Sequence, residues 1–206
     1  LPAENGVQVL RLLAAGRVDA CLLDIHMPVM DGLETLRHIR EKYARLPVIL
    51  ISGSSRDSAQ ITVQALGLGA LDFIRKPEGM DFDRNMAFIS RHLAGLMGQI
   101  LPGRPSAAAA GAPAQALPAG RWLPDVVLVA SSTGGPAALE KVIPRLGADF
   151  PRPVLVVQHM PAGFTSMFAQ SMDGKSPLAV SEARENDGVV SGRVLIAPGG
   201  LHMTVR

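Results

Sequence analysis

Short runs of apolar residues alternate along the chain with segments in which apolar positions recur at a helical period. The apolar runs have no polar residue at every second position, which predicts strands buried on both faces of a parallel sheet. Strands are predicted at residues 18–24, 47–51, 70–77, 126–131 and 153–158, with shorter ones at 177–183, 192–197 and 201–205. Amphipathic helices are predicted at 5–15, around 33–39, at 81–101, at 137–146 and after His159.

This alternation stops at residues 102–124, a nearly uncharged segment that is rich in Pro, Ala and Gly. A segment of this composition cannot bury a core, so it predicts a flexible linker. The chain is therefore predicted to contain two α/β domains, residues 1–101 and 125–206, each built on a parallel sheet with helices on both faces.

Composition narrows the class of protein. Of the 206 residues, 48% are hydrophobic and 18% are charged, the net charge is +2, and no apolar run approaches the roughly 20 residues of a membrane span. We expect a globular cytoplasmic protein with no membrane insertion and no nucleic-acid partner. The single cysteine, Cys21, is expected to be a small buried hydrophobic residue. The chain lacks an initiating methionine and begins within a domain, so it is expected to be a fragment cut at both ends.

Small hydroxyl residues and glycines, SSTGGP, end the predicted strand at 126–131. The glycines allow close backbone approach, and Pro136 suits the first position of a helix. Three interpretations are open at this point. The turn could carry a serine nucleophile, it could cradle a phosphate, or a hydroxyl of Ser132 or Thr133 could simply cap the helix.

The next long apolar run, at 153–158, ends in His159. If the two strands are parallel neighbours, their carboxyl ends lie at one edge of the sheet, where His159 could accept the proton of Ser132. A lone histidine at a strand end is more often structural. Its pairing with a serine turn favours acyl transfer.

Three segments together resemble the catalytic domain of CheB, the family of chemotaxis protein-glutamate methylesterases: VASSTGGP at 129–136, QHMPAGFT at 158–165 and APGGLHM at 197–203. The resemblance implies that Ser132 is the nucleophile, that His159 is the general base and that the backbone N–H of Thr133 is an oxyanion donor. It also implies a third triad member, an aspartate in a GMGxDG segment beyond Arg206. His202 lies within a family signature without an assigned role.

The predicted strands of the first half also end in polar residues, Asp24, Ser52 and Lys76. A carboxylate at such an edge is costly unless it is solvated, bound to a metal or used chemically. Asp24 could accept a phosphoryl group that Ser52 and Lys76 stabilise.

The segment LLDIHMPVMDG at 22–32, together with Ser52 and the Lys76-Pro77 pair, strongly resembles a flavodoxin-like response-regulator receiver domain. The resemblance implies phosphorylation of Asp24 and a switch formed by Ser52, Phe73 and Lys76. It also implies Mg²⁺, held by Asp24 and the backbone carbonyl of His26, with an acidic pair on a first strand that would precede Leu1.

The two resemblances, in this order, imply a phosphorylation-regulated methylesterase that hydrolyses glutamyl methyl esters and deamidates glutamines on methyl-accepting chemotaxis receptors. A histidine kinase would be its second partner, and the esterase step would need no cofactor. Two alternatives are open: an inactive receiver or docking module, and a phosphate-binding α/β domain.

Overall fold

The structure is a computed structural model, and it describes residues 1–77, 79, 81–100 and 124–206. The segment interpreted as a flexible linker, 102–124, lies outside the described residues except at its last position. The linker therefore stays a prediction.

The first half of the chain forms a three-stranded parallel sheet with neighbouring helices, as predicted. Side chains of Asn5, Asp31 and Ser55 each accept a hydrogen bond from the backbone N–H three residues on, which satisfies a free donor and starts a helix. The elements are α1 (Gly6–Ala15), β1 (Cys21–Asp24), α2 (Gly32–Lys42), β2 (Val48–Ser52), α3 (Arg56–Gly67), β3 (Asp72–Arg75) and α4 (Phe82–Ile100). The sheet order β1-β2-β3 leaves β3 at one edge.

The second half forms a four-stranded sheet in the order β4-β5-β7-β6, in which every pairing is parallel. Its elements are β4 (Val127–Ser131), α5 (Gly135–Val142) with a 3-10 turn (Ile143–Arg145), β5 (Val154–Gln158), α6 (Phe164–Asp173), β6 (Ala179–Glu182) and β7 (Arg193–Ile196). The predicted α/β class with parallel sheets is confirmed for both halves.

Four details differ from the predictions. Helix α3 was not predicted from the pattern, and α5 begins at Gly135 rather than at 137. No strand forms at 201–205. The prediction that β4 is buried on both faces is wrong, because Leu128 is 72% exposed and Ala130, whose partner on β5 is Val157, is also exposed. An unbroken apolar run therefore does not guarantee burial.

A single hydrophobic core runs through both halves. Helix α3, the element missing from the predictions, packs against both α5 and α6 and joins the halves. Cys21 is half-buried, and burial raises the pKa of its thiol to about 11, as suits an unreactive packing residue. Among the described helices, none has the length and apolar character needed to cross a bilayer.

Leu128 and Leu155 offer a matched pair of substitutions, because they are partners on adjacent strands but differ in burial. Leu155→Ala, at a position 2% exposed, is expected to lower the free energy of unfolding by about 2–5 kcal/mol. Leu128→Ala is expected to cost no more than about 0.5 kcal/mol. Urea unfolding measures both, and equal losses would show that the exposed face of the sheet is covered in solution.

Candidate active site

Strands β4 and β5 lie side by side in parallel, so their carboxyl ends share one edge of the second sheet. Ser131 pairs with Gln158 as the last rung, and the His159 N–H donates to the Ser131 carbonyl at 2.9 Å. One residue further on, Ser132 Oγ lies 3.5 Å from His159 Nδ1, with both residues exposed. This distance suits a nucleophile and its base before substrate binds, when catalytic hydrogen bonds are often long.

The turn that carries Ser132 ends in a left-handed residue. Gly134 has φ of 73° and is the N-cap of α5, with no side-chain capping bond. The interpretation of Ser132 or Thr133 as a helix cap is therefore wrong, because the helix starts beyond both residues. The Gly135 N–H closes the turn on the Ser132 carbonyl at 2.8 Å. The Ser132 hydroxyl is left outside the helix and beside the histidine.

The side chain of Gln158 connects the carboxyl ends of β4 and β5. Its side chain is buried, with Oε1 accepting from Ser131 Oγ at 2.6 Å and Nε2 donating to the carbonyls of Ser132 at 3.0 Å and His159 at 3.3 Å. Gln158 lies in the QHMPAGFT motif, but no role was predicted for it. A polar residue that ends a buried strand was the signal available for it.

The segment APGGLHM at 197–203 packs against the loop that follows β5. A Cβ added to Gly199 would lie 2.5 Å from the Pro161 carbonyl carbon, so only glycine fits there. The Gly199 N–H donates to the buried Thr165 hydroxyl at 3.0 Å, which ties this segment to α6. His202 lies exposed beyond it.

The edge strand of the first sheet lies against the serine turn. Leu71 approaches Gly134, where an added Cβ would lie 3.5 Å from Leu71 Cδ1. The Thr133 hydroxyl hydrogen bonds to the Asp72 carboxylate. Phe73 stacks on the buried Phe164 at the start of α6, with ring centroids 4.7 Å apart and planes 21° from parallel. The first half of the chain therefore contacts the turn that carries Ser132 directly.

Asp72 is an acidic side chain held in a partly desolvated place. Burial raises the pKa of Asp72 above its usual 3.8, against opposing effects of the Phe73 N–H, the Thr133 hydroxyl and the charge of His159. No role was predicted for Asp72, because nothing in the strand pattern indicates which residues of the two halves meet.

Of the polar residues that end the strands of the first sheet, Asp24 and Lys76 are in contact, whereas Ser52 bonds elsewhere. Lys76 Nζ donates to Asp24 Oδ2 at 2.6 Å, and the His26 N–H donates to Asp24 Oδ1 at 3.2 Å. Ser52 is fully buried and accepts a hydrogen bond from Thr62 of α3. In the part of the chain that the structure describes, no three His, Cys, Asp or Glu side chains form a metal-binding group.

Two family models match the chain. The model described as response regulator receiver domain matches residues 2–84, and the one described as CheB methylesterase matches residues 127–206. The protein-glutamate methylesterase/protein-glutamine glutaminase 2 of Caulobacter vibrioides is 43% identical over 99% of this chain. The chain thus carries a receiver domain followed by a CheB methylesterase domain. The corresponding enzyme of Archaeoglobus fulgidus is 39% identical, again over 99% of this chain.

The chain spans 60% of the length of both of these CheB relatives. A solved structure, the methylesterase catalytic domain of Thermotoga maritima CheB, is 49% identical, with a TM-score of 0.37, and the match covers 38% of this chain and 41% of that one.

The raised pKa of Asp72 makes stability depend on pH. At pH below 3.8, the folded and unfolded states both hold the proton, and the contribution is fully present. As the pH rises through the folded-state pKa, the unfolded state gives up its proton more readily and stability is lost. Asp72→Asn cannot ionise and keeps an oxygen acceptor for the Phe73 N–H, so its free energy of unfolding is expected to rise relative to the parent chain as the pH increases.

Urea unfolding at a series of pH values measures this difference, and the exposed Asp19→Asn controls for the loss of one negative charge. A difference between Asp72→Asn and the parent that stays constant with pH would contradict the prediction.

Proposed function

We propose that this chain acts in the hydrolysis of glutamyl methyl esters on methyl-accepting chemotaxis receptors, with deamidation of glutamine as a related reaction. The observation that carries the proposal is the approach of Ser132 Oγ to His159 Nδ1 at 3.5 Å across adjacent parallel strand ends. The substrate class follows from the similar proteins, which are named protein-glutamate methylesterase/protein-glutamine glutaminase.

In the proposed reaction, Ser132 Oγ attacks the ester carbonyl while His159 takes its proton. The proton passes to the leaving methoxide, which departs as methanol, and water then hydrolyses the acyl-serine. The Thr133 backbone N–H would face the oxyanion, where removal of one well-placed donor costs about 3–4 kcal/mol. We retain an aspartate beyond Arg206 as the third triad member.

A fluorophosphonate ester probe tests the serine chemistry. We expect the chain to be labelled at Ser132, because the adjacent imidazole makes the hydroxyl nucleophilic. Ser132→Ala should abolish labelling, and His159→Gln should slow it by at least about 100-fold. Intact mass and peptide mapping measure the product. Ser191→Ala, an exposed serine of the same half, is the matched control and should label at the parental rate.

Absence of labelling, in this chain and in a longer chain that includes the aspartate of the triad, would contradict the esterase. In that case, stabilisation of the fold by nucleotide or inorganic phosphate would favour the phosphate-binding alternative. Absence of both responses would favour a docking module.

We also propose that the receiver half restrains the esterase half and that phosphorylation of Asp24 relieves the restraint. Asp24 is linked to the edge strand through Lys76, which directly follows β3 and whose N–H donates to the Ser52 carbonyl at 2.7 Å. The other end of β3 carries Asp72 and Phe73, which contact Thr133 and Phe164. A charge change at Asp24 therefore acts on the strand that covers the serine turn.

The receiver family implies Mg²⁺ for this phosphorylation. The described donors fit only part of such a site, because Asp24 belongs to no group of three or more described metal-ligating side chains and Lys76 already holds its Oδ2. No step of the proposal is derived through the metal. The proposal includes a histidine kinase and chemoreceptors as partners and a cytoplasmic location.

The aromatic stack between the halves offers a direct test of restraint. Phe73→Ala is expected to speed the labelling of Ser132 by about two- to tenfold, because an aromatic pair contributes about 0.5–1.5 kcal/mol beyond its buried area and 1.4 kcal/mol is tenfold. The labelling rate constant is the measurement. Phe88→Ala, at a half-buried phenylalanine of α4 whose ring packs at a tilt against His92, is the matched control and should leave the rate unchanged.

An unchanged or slower rate in Phe73→Ala would contradict restraint by this contact. Treatment with acetyl phosphate and Mg²⁺ should raise the rate in the same direction, and Asp24→Asn should remove that response.

A further inference from the structure

Gln158 uses both amide hydrogens on backbone carbonyls that flank the reacting residues. Nε2 donates to the Ser132 carbonyl and to the His159 carbonyl, and Oε1 accepts from Ser131 Oγ. The side chain is 5% exposed. A buried amide with these three bonds belongs to the architecture of the serine turn, because it joins the ends of β4 and β5.

The Ser132 carbonyl and the Thr133 N–H belong to one peptide group. The described backbone contains no cis peptide bond, and in a trans peptide the C=O and N–H point in opposite directions. The carbonyl is held on the buried side by Gln158 Nε2 at 3.0 Å and by the Gly135 N–H at 2.8 Å. The Thr133 N–H is therefore directed away from the buried amide, toward the exposed side on which Ser132 lies.

We propose that Gln158 is a positioning residue that holds the Ser132–Thr133 peptide so that the Thr133 N–H faces the oxyanion. This role rests on the proposed esterase function. In this role, the Gln158 side chain fixes the oxyanion donor in place before substrate binds. A donor that is positioned in advance lowers the activation barrier, because it need not reorganise during the reaction.

The surroundings of Gln158 select its orientation. The Ser131 hydroxyl donates to Oε1, which leaves Nε2 toward the two carbonyls, and a flipped amide would set Oε1 against both of them. The space around the amide is also limited, because a Cβ added to Gly135 would lie 2.0 Å from Gln158 Oε1. An asparagine is one methylene too short to reach, and an ionised glutamate has the right shape but no hydrogens to donate.

Fluorophosphonate labelling of the 206-residue chain over a range of probe concentrations tests the role. Gln158→Glu and Gln158→Met are expected to lower the maximal rate constant by about 100-fold, as loss of an oxyanion donor does. The probe concentration for half-maximal rate should change less than about twofold, because the donor acts mainly in the transition state. Ser131→Ala, which keeps both Nε2 bonds, should have a smaller effect. Gln170→Glu, at an exposed glutamine of α6, is the matched control.

The pH profile separates positioning from general damage to the fold. In Gln158→Glu, protonation of the new carboxyl restores one donor, so the ratio of its rate to the parental rate should rise as the pH falls. In Gln158→Met this ratio should stay flat. A loss that appears in probe affinity instead, or labelling at the parental rate in both variants, would overturn the proposal.

Amide NMR gives a readout that does not need activity. The carbonyl carbon of Ser132 and the amide of Thr133 are expected to shift in Gln158→Met and to keep their positions in Gln170→Glu. If the parent chain is not labelled, only the esterase function is refuted. The chemical shifts would then still show whether Gln158 positions the Ser132–Thr133 peptide. Unchanged shifts would overturn the role of Gln158 whether or not the parent is labelled.

Discussion

The parallel pairing of β4 with β5 is the constraint on which the rest of the site depends. Parallel strands place their carboxyl ends at one edge of the sheet, so the residues that directly follow two neighbouring strands lie close together. Ser132 and His159 are 27 positions apart in the chain and 3.5 Å apart in space for this reason. A shift of the register would separate them, whatever their side chains.

The serine turn is made rigid by three kinds of contact. Gly134 supplies the left-handed residue, the Gly135 N–H closes the turn, and the buried amide of Gln158 ties it to the neighbouring strand. Glycine is required at 135 because the amide occupies the space that a side chain would fill. The result is a nucleophile that is exposed while its backbone is held from the buried side.

The two halves of the chain form one packed body around α3, and their contact surface includes the reactive edge. The stack of Phe73 on Phe164 favours the packed arrangement, whereas the burial of Asp72 opposes it by disfavouring its ionised form. Opposing contributions of this kind suit an interface that forms and dissociates, because the packed and separated states then differ little in free energy.

The sequence by itself determined the α/β class, most of the strands and the residues at their ends, because unbroken apolar runs and polar strand ends are local features. Ser132, His159, Asp24 and Lys76 could be named from the sequence because their motifs lie within a few residues of each strand end. Only the tertiary structure decided that β4 and β5 are neighbours in register, that α3 joins the halves, and that Asp72 and Gln158 approach the serine turn. These are contacts between residues distant along the chain, and they depend on how whole elements pack rather than on any local pattern.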